Sequence, residues 1–287
     1  MPKRLSTVRG REFGAGVQAA IDATGLSARA IAEIVDWDEG KLSCVVNGKG
    51  GANQLEVALL LGACRTKPAE VVHLLALHSI TDAEGWWQQH GTCSPRWLRT
   101  AVENLQKAKT LVGWQMHVIP VFLQTRDYMW EVLRASATVP EDELESRVEE
   151  QLAMQELLRR GRVECAYYIH ESALRLEVGG AKVHAAQIVH LLCRATWANI
   201  AVRIVPAELG AHAGLAGPFT LLTFPKYEPL VWVETENSSL FVEAGDALEG
   251  YDKVVRKLDE TSLGEAESKA LLTRMHEAMT ESGQTCG

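Results

Sequence analysis

Apolar residues in the first 80 positions recur every three to four residues, a spacing that predicts short amphipathic helices. In the first of them, at 11–23, Phe13, Val17 and Ile21 share one face. Five helices are predicted, and they cover 11–23, 27–35, the stretch from Asp38 to Asn47, 53–64 and 67–78. We therefore expect a small helical bundle in this part of the chain.

The second and third of these helices are joined by a tight turn. Ser27 caps the second helix, in which Ile31 and Ile34 are expected to face inward. Asp38 caps the third helix, which ends at Asn47-Gly48 because both residues tolerate a left-handed backbone. A helix, a short turn and a second helix within a bundle of about five helices are typical of a helix-turn-helix domain.

The periodicity changes in the second half of the chain, where short apolar and β-branched runs alternate with helical stretches. Strands are predicted at 163–172, 199–206, 217–224 and 230–237. Helices are predicted at 118–133, 140–161, 181–196, 246–263 and 264–280. The predicted fold class is mainly α with a smaller β component (α+β): a five-helix helix-turn-helix bundle followed by an α+β C-terminal domain.

A tryptophan-rich stretch separates these two parts. Trp86, Trp87 and Trp97 fall within twelve residues, and Gly91 and Pro95 interrupt the helical pattern around them. We expect a helix-turn-helix domain at 1–80, a Trp-rich helical linker at 81–115 and a sensor or partner-docking domain at 116–287.

Charge is distributed unevenly between the two parts. The net charge is −8, but residues 1–80 hold nine Lys and Arg against eight Asp and Glu. The acidic excess therefore lies in the remainder, and only the first part approaches a phosphate backbone without strong repulsion.

The cysteines and the hydropathy pattern favour a cytoplasmic protein. Six cysteines are scattered without a CxxC pair, which is typical of reduced thiols. No apolar run is long enough to span a membrane, and the basic N-terminal residues are not followed by the apolar stretch of a signal peptide.

Seven motifs together resemble a known family. The chain contains LSARAIAEIVDWDEGKLSCVVNGKG, then VIPVFLQTRDY, RVEEQLAMQELL, ALRLEVGG, GPFTLLTF, VWVETENSSLFVE and LDETSLGEAESKALL, in that order. With this set it resembles actinomycete xenobiotic-response-element-type regulators (XRE family, Cro/C1-type). These join a lambda-repressor-like helix-turn-helix to a large C-terminal domain of unknown function. The resemblance covers roughly residues 10–280.

The resemblance implies a cytoplasmic DNA-binding regulator of transcription. It also implies possible partners, because such proteins are often encoded beside a small acidic partner protein in an antitoxin-like arrangement. Many of their genes lie in regions for development or natural-product biosynthesis. The C-terminal domain is then a sensor or docking module, and the resemblance supplies no catalytic residues.

The third helix is the candidate for contact with operator DNA. Eight residues are candidate contacts: Ser27, Arg29, Asp38, Glu39, Lys41, Ser43, Asn47 and Lys49. Glu39 is able to accept a hydrogen bond from a cytosine amino group, and Lys41 and Lys49 are able to bind backbone phosphates. Residues 27–50 nevertheless hold four acids against three bases, and Gly40 inside a helix costs about 1 kcal/mol relative to Ala. The alternative is a module kept for folding or dimerisation that binds DNA weakly or not at all.

Basic residues outside this helix offer a way to offset the local acids. A homodimer binds DNA in spite of the acids in residues 27–50 if enough basic residues elsewhere contact phosphates. The candidates for these phosphate contacts are Lys3, Arg4, Arg9 and Arg11.

A second candidate site is a pocket for a hydrophobic small molecule near the domain boundary. Aromatic side chains suit the walls of such pockets, and a few polar groups orient the ligand. The candidate residues are Trp86, Trp87, Trp97, Trp114, Gln124, Arg126, Tyr128 and Trp130. The alternative is that the tryptophans pack in the core and between domains.

No catalytic residue, metal site or cofactor is predicted. His73 and His78, like His184 and His190, are spaced so that they lie on different faces of their helices. In IHES (169–172), neighbouring residues of a strand point to opposite faces, which argues against a catalytic triad.

Three hypotheses follow. The first is a homodimeric, DNA-binding regulator whose C-terminal domain senses a small molecule or a partner protein. The second is a regulator-like fold recruited as an enzyme of the cyclase or isomerase type in a natural-product pathway, with DNA binding lost and a Trp-lined pocket. The third is an antitoxin-like protein-interaction module.

Overall fold

Residues 6–79, 86–89, 96–159, 163–236 and 238–284 are described by the structure, a computed structural model. Five helices come first: α1 (Val8–Asp22), α2 (Ala28–Ile34), α3 (Glu39–Val46), α4 (Gln54–Ala63) and α5 (Pro68–His78). Their apolar faces meet in one core, to which Phe13, Val17 and Ile21 of α1 and Leu42 and Val45 of α3 contribute. The predicted helical bundle is confirmed.

Ile34 departs from its predicted inward position. Its side chain is 59% exposed, whereas Ile31 and Ala32 are buried. Val35 also packs against the bundle core. The inward face of α2 therefore contains Ile31 and Ala32 and continues to Val35 just after the helix, and Ile34 lies to one side of that face.

Seven strands form one mixed sheet in the order β1-β7-β6-β5-β2-β3-β4. They are β1 (Trp86–Gln89), β2 (Thr110–Gln115), β3 (Glu164–His170), β4 (Ile200–Val205), β5 (Phe219–Thr223), β6 (Leu230–Glu234) and β7 (Ser238–Val242). β2, β3 and β4 are parallel, whereas the pairs from β2 through β5, β6 and β7 to β1 are antiparallel. The carboxyl ends of β2, β3, β4 and β6 consequently lie along the same edge, which we call the carboxyl edge.

Seven further helices accompany this sheet in the described part of the chain. They are α6 (Arg96–Lys107), α7 (Arg126–Ala135), α8 (Leu144–Arg159), α9 (Glu171–Arg175), α10 (Gly180–Arg194), α11 (Gly245–Thr261) and α12 (Glu265–Gln284). α7 and α8 lie between β2 and β3 in the chain, and α9 and α10 between β3 and β4. These connections have the length that parallel strand pairs require.

Both faces of the sheet are covered. Leu111 and Tyr167 belong to a core that includes residues of α8, α10 and α12. Trp114 and Tyr168 belong to a second core, with residues of α11. Alternate side chains along β2 and β3 thus enter opposite layers, as the two-residue period of strands requires. The predicted α+β fold class, mainly α with a smaller β component, is confirmed.

α1 contributes to two cores. Val8, in its first turn, is buried in the larger core of the sheet, whereas Phe13, Val17 and Ile21 lie in the bundle core. The Val8 N–H also donates to Glu243 Oε1, just after β7, at 2.8 Å. One continuous helix therefore joins the bundle to the sheet.

Two buried charged residues of α1 reinforce this junction. Arg11 donates from Nε to Asn104 Oδ1 at 3.1 Å and from Nη1 to the Ser6 carbonyl at 2.9 Å, and its Nη2 lies 3.4 Å from Glu243 Oε1. Glu12 accepts from the Thr100 hydroxyl of α6 and lies 3.1 Å from His73 Nε2 of α5. The expectation that Arg11 contacts phosphates is wrong, because its guanidinium is enclosed; Lys3 and Arg4 lie outside the described residues.

The segment 81–115 is not the helical linker that the sequence predicts. α6 is helical, but β1 and β2 belong to the sheet, and β2 lies between β5 and β3. Its hydrogen-bond partners are residues 164–169 and 219–223, which are remote in sequence. The local spacing of apolar residues does not reveal strand partners that are remote in sequence. The sequence analysis did not predict β7 for the same reason. The division at residues 80 and 116 stays a prediction.

No helix in the described ranges combines the length and apolar character needed to cross a membrane.

Candidate functional site

Ser27 and Asp38 hold the N-termini of the two helices in the predicted helix-turn-helix. Ser27 Oγ accepts a hydrogen bond from the Ala30 N–H at 3.2 Å, and Asp38 Oδ1 accepts from the Lys41 N–H at 2.8 Å. Helix capping alone accounts for both residue types.

Lys41 joins α3 to α4. Its Nζ lies 2.6 Å from Glu56 Oε1 and 4.7 Å from the centre of the Trp37 ring. The hydrogen bond from Lys41 lowers the pKa of Glu56, which also completes a capping box with Asn53. This lysine already has an anionic partner within the protein, so a phosphate would have to compete for it.

Arg29 lies between two acids on the surface of α2 and α3. Its Nε is 3.2 Å from Glu33 Oε1 and 3.6 Å from Glu39 Oε1. The three side chains are 74%, 69% and 72% exposed, so these pairs exchange readily with solvent and contribute little stability. Arg29 does offset part of the negative charge at the start of α3.

The exposed side of α3 and its final turn carries Ser43, Cys44, Asn47 and Lys49, which we call the α3 face. Asn47 Nδ2 donates to the Ser43 carbonyl at 2.7 Å and lies 3.3 Å from Ser43 Oγ. Lys49 has no ion pair among the described residues. The eight residues predicted to contact DNA thus lie on adjoining elements, and Cys44, which the sequence prediction did not include, is exposed beside them.

A cavity of about 900 Å³ opens at the carboxyl edge of the sheet, and we call it the edge cavity. Its walls come from the residues that end or follow β2 and β6, from α7 and α8, and from the segment 176–179 after α9. Loops diverge at the carboxyl ends of parallel strands, which is where open α/β sheets bind ligands.

The walls of the edge cavity are apolar with several charged groups. The apolar residues are Val118, Val132, Leu133, Val139, Leu176, Val178 and Pro218. The charged or titratable residues are His117, Glu131, Arg147, Glu177, Glu234 and Glu236. Four carboxylates and one guanidinium leave the cavity acidic.

Several of these groups have partners within the protein. Arg147 lies 3.4 Å from Glu143 and 3.8 Å from Glu150, and Glu131 lies 2.7 Å from Arg134. Glu236 accepts hydrogen bonds from Ser136 and Thr138 at 2.5 and 2.6 Å, and these bonds lower its pKa.

Glu177 and Glu234 differ from these groups. No hydrogen bond or ion pair joins either side chain to another residue in the part of the chain that the structure describes. Water reaches the Glu234 side chain, yet the surrounding protein desolvates its carboxyl and raises the pKa to about 7. A carboxyl that titrates near neutral pH beside a cavity is a common feature of functional sites.

The sequence prediction did not include these cavity residues. One signal was available, since VWVETEN is an apolar strand that ends in two acids separated by Thr235. These two acids indicate a site only when the order and direction of the strands are known, because the topology places the ends of β6 and β2 at the same edge of the sheet.

Three of the predicted ligand-binding residues, Trp114, Gln124 and Tyr128, lie outside the edge cavity. Trp114 is fully buried and donates from Nε1 to the Gly214 carbonyl at 2.9 Å. Tyr128 is also buried, and Gln124 donates from Nε2 to the Ile119 carbonyl at 2.7 Å. None of the three lines the edge cavity, and core packing accounts for all of them.

The remaining members of that set give no support to a tryptophan-lined pocket. Arg126 forms ion pairs with Glu145 and Glu149 on α8, and Trp130 is half-buried on α7. Neither residue lines the edge cavity. The side chains of Trp86, Trp87 and Trp97 lie outside the described part of the chain.

His170, Glu171 and Ser172 serve the junction between β3 and α9. His170 caps α9, with Nδ1 2.6 Å from Ser172 Oγ, because the strand ends at this residue. Glu171 accepts from the Ala207 N–H at 2.9 Å and pairs with Arg175. In the described ranges, no three His, Cys, Asp or Glu residues are arranged to hold a metal ion.

Fold and site together define an α+β protein in which a five-helix bundle precedes a sheet with a ligand-sized cavity at its carboxyl edge. The chain belongs to the family described as Domain of unknown function (DUF5753), whose model matches residues 98–274. The match contains the whole edge cavity, and the expectation of a large C-terminal domain of unknown function is confirmed. No curated protein and no solved structure matches the chain.

Proposed function

We propose that the protein is a DNA-binding regulator of transcription whose C-terminal domain senses a small molecule in the edge cavity. The observation that supports DNA binding most directly is the placement of α3. Leu42 and Val45 fix its inner side in the bundle core, whereas its other side is exposed. A helix held in this way by a preceding helix and a short turn is suited to the major groove.

The charges of α2 and α3 are compatible with this function. Asp38 is used as a cap, and Arg29 lies beside Glu33 and Glu39. Lys49 remains exposed at the end of α3 and suits a phosphate. With few basic contacts per protomer, the proposed DNA-binding species is a homodimer, which doubles the number of phosphate contacts.

The resemblance to XRE-type regulators supports the same proposal and adds an alternative partner. A small acidic protein is the second candidate for the regulator of DNA affinity. In that case the C-terminal domain is a docking module, and the protein is antitoxin-like.

DNA binding is tested by fluorescence anisotropy on the DNA upstream of the protein's own gene, measured as a salt series. Lys49→Ala is expected to weaken binding and to lower the salt dependence of log Kd by about 1 per protomer. Lys67→Ala, which removes an exposed lysine outside α2 and α3, is the matched control. Absence of binding at low salt contradicts the proposal.

A second candidate function is favoured by Glu234. A carboxyl with a pKa of about 7 beside a cavity is suited to general acid–base catalysis, and the protein is then an enzyme of the cyclase or isomerase type. Mass spectrometry of cell extract incubated with wild type and with Glu234→Gln tests this function. A product that forms with wild type alone supports it, and identical spectra contradict it.

A further inference from the structure

The edge cavity combines apolar walls with an excess of carboxylates, and this combination points to a chemical class of ligand. We propose that the cavity binds an amphipathic cation, an amine whose hydrocarbon part lies on the apolar wall and whose ammonium is held by Glu177 and Glu234. This inference rests on the proposed function, because it names the class of small molecule that the C-terminal domain senses.

Most charged side chains of the edge cavity already have partners within the protein. Arg147 lies between Glu143 and Glu150, so it offers little attraction to an anionic ligand. Glu131 is likewise paired with Arg134. Ser136 and Thr138 satisfy Glu236 by hydrogen bonds. Two carboxylates therefore remain without a partner among the described residues, and both line the cavity.

Glu234 is the stronger of these two ligand groups. It ends β6, and the protein around it supplies no cation to balance its ionised form. Desolvation accordingly raises its pKa to about 7. An ammonium beside it provides the missing counter-charge and a charge-assisted hydrogen bond.

The size of the cavity requires more than a small inorganic cation. A volume of about 900 Å³ is in the range of sites for drug-sized molecules, roughly 300–1,000 Å³. Val132 and Val178 line it and also pack against the larger sheet core, which makes this part of the wall firm. Burial of hydrocarbon on that wall contributes affinity, whereas the carboxylates select the sign of the head group.

Three probes with one hydrocarbon part and different head groups test the assignment. Binding of 4-phenylbutylamine, 4-phenylbutanol and 4-phenylbutyrate to the full chain is measured by isothermal titration calorimetry at pH 8. At this pH the Glu234 carboxyl is largely ionised and the amine is protonated. The amine is expected to bind at least tenfold more tightly than the alcohol, and the carboxylate more weakly than both.

Substitutions then locate the head group. Glu234→Gln and Glu177→Gln are each expected to weaken amine binding about tenfold while alcohol binding stays within twofold. The matched control is Glu249→Gln, which changes an exposed glutamate of α11 outside the cavity and is expected to have no effect. Circular dichroism of each variant verifies that it is folded.

Equal affinity for the three probes, or an amine affinity that neither cavity substitution lowers, overturns the assignment. The experiment contains no DNA, so its result is independent of the test of DNA binding. If the protein binds the amine but no DNA, the ligand assigned to the edge cavity is supported and the proposed regulatory function is contradicted. If it binds DNA but does not prefer the amine, the regulatory function is supported and the cationic ligand is contradicted.

Discussion

At the scale of single residues, Arg11 is the side chain whose surroundings most restrict it. Its side chain is 1% exposed. The guanidinium contacts the aromatic rings of Phe224 and Tyr227 and lies beside Glu243, whose side chain is 9% exposed. Burial of the arginine costs free energy that these partners offset, and removal of one member leaves the others desolvated. Arg11 is thus a structural residue although the sequence places it in a basic N-terminal stretch.

Arg11→Ala is expected to lower the free energy of unfolding by about 3 kcal/mol, since Asn104 and Glu243 lose their buried cation. Urea denaturation followed by circular dichroism measures the change. Lys257→Ala is the control, because it breaks an ion pair with Glu260 whose side chains are 65% and 60% exposed. Its expected cost is under about 1 kcal/mol, and equal costs for the two variants would show that the Arg11 network is dispensable.

The Glu234 carboxyl makes stability depend on pH in a defined direction. Its folded-state pKa of about 7 exceeds the ordinary value of 4.5, so between these values the folded protein keeps a proton that the unfolded chain releases. The free energy of unfolding is therefore highest below pH 4.5 with respect to this group, and it falls as pH rises through 7. Glu234→Gln is therefore expected to stabilise the protein at pH 8 and not at pH 4. The gain is on the order of 1 kcal/mol, because water that reaches the side chain screens it.

Melting temperatures of Glu234→Gln and wild type, compared at pH 4 and pH 8, check this prediction. His117, Glu131, Arg147, Glu177 and Glu236 also line the cavity, but they are present in both proteins and cancel to first order in the difference. An equal difference at the two pH values would contradict the raised pKa.

At the scale of elements, α1 and the end of α3 meet backbone to backbone. A Cβ atom at Gly14 would overlap the Val46 carbonyl, and one at Gly10 would overlap the carbonyl of Gly48. Gly48 also has a φ of 66°, in the left-handed region. Glycines that a helix-propensity argument treats as a weakness of α1 are here what allows close packing.

Gly14→Ala is expected to destabilise the protein by 1–3 kcal/mol or more, roughly the range for overpacking, because α1 and α3 must separate. Gly62→Ala is the matched comparison. It lies in α4 with no atom near its added methyl group, and it is expected to stabilise by up to about 1 kcal/mol. Chemical denaturation of both variants checks the opposite signs, and a neutral Gly14→Ala would contradict the close contact.

The elements differ in how well the sequence predicts them. Helices α1 to α5 follow from local spacing, because Phe13, Val17 and Ile21 recur within one helix and pack on near neighbours. The position of β2 does not follow from local spacing, because Gly113 interrupts its apolar run. The Tyr167 ring occupies the space beside Gly113 and lies 2.9 Å from where a Cβ atom would be. Only the partner strand explains that glycine.

The two candidate sites differ for the same reason. The predicted DNA contacts from Ser27 to Lys49 come from contiguous helices, so a correct local prediction brings them together. The edge cavity joins residues as distant as Gln115 and Glu234, and only the sheet topology places them side by side. The tryptophan count predicted a pocket, whereas Trp114 packs in the core of the sheet.

At the scale of the whole molecule, the shared helix α1 predicts one cooperative unfolding transition. Calorimetry of wild type is expected to show a single peak, because separation of the bundle exposes Val8, Arg11 and Glu12. Val8→Asp places a charge in the sheet core and is expected to split the peak into two. Val72→Asp, at a position 69% exposed on α5, is expected to leave it single. Two peaks in wild type would contradict the shared core.

The contact between α1 and the end of α3 also couples the position of α3 to the sheet core. Val8 and Gly14 are separated by six residues of one helix, about 9 Å along its axis. Fewer than two turns of α1 therefore separate the sheet core from the contact with α3, and that contact is made by backbone atoms rather than side chains. We therefore expect a displacement of the first turn of α1 to move α3 as well, because a continuous helix and a backbone contact lie between them.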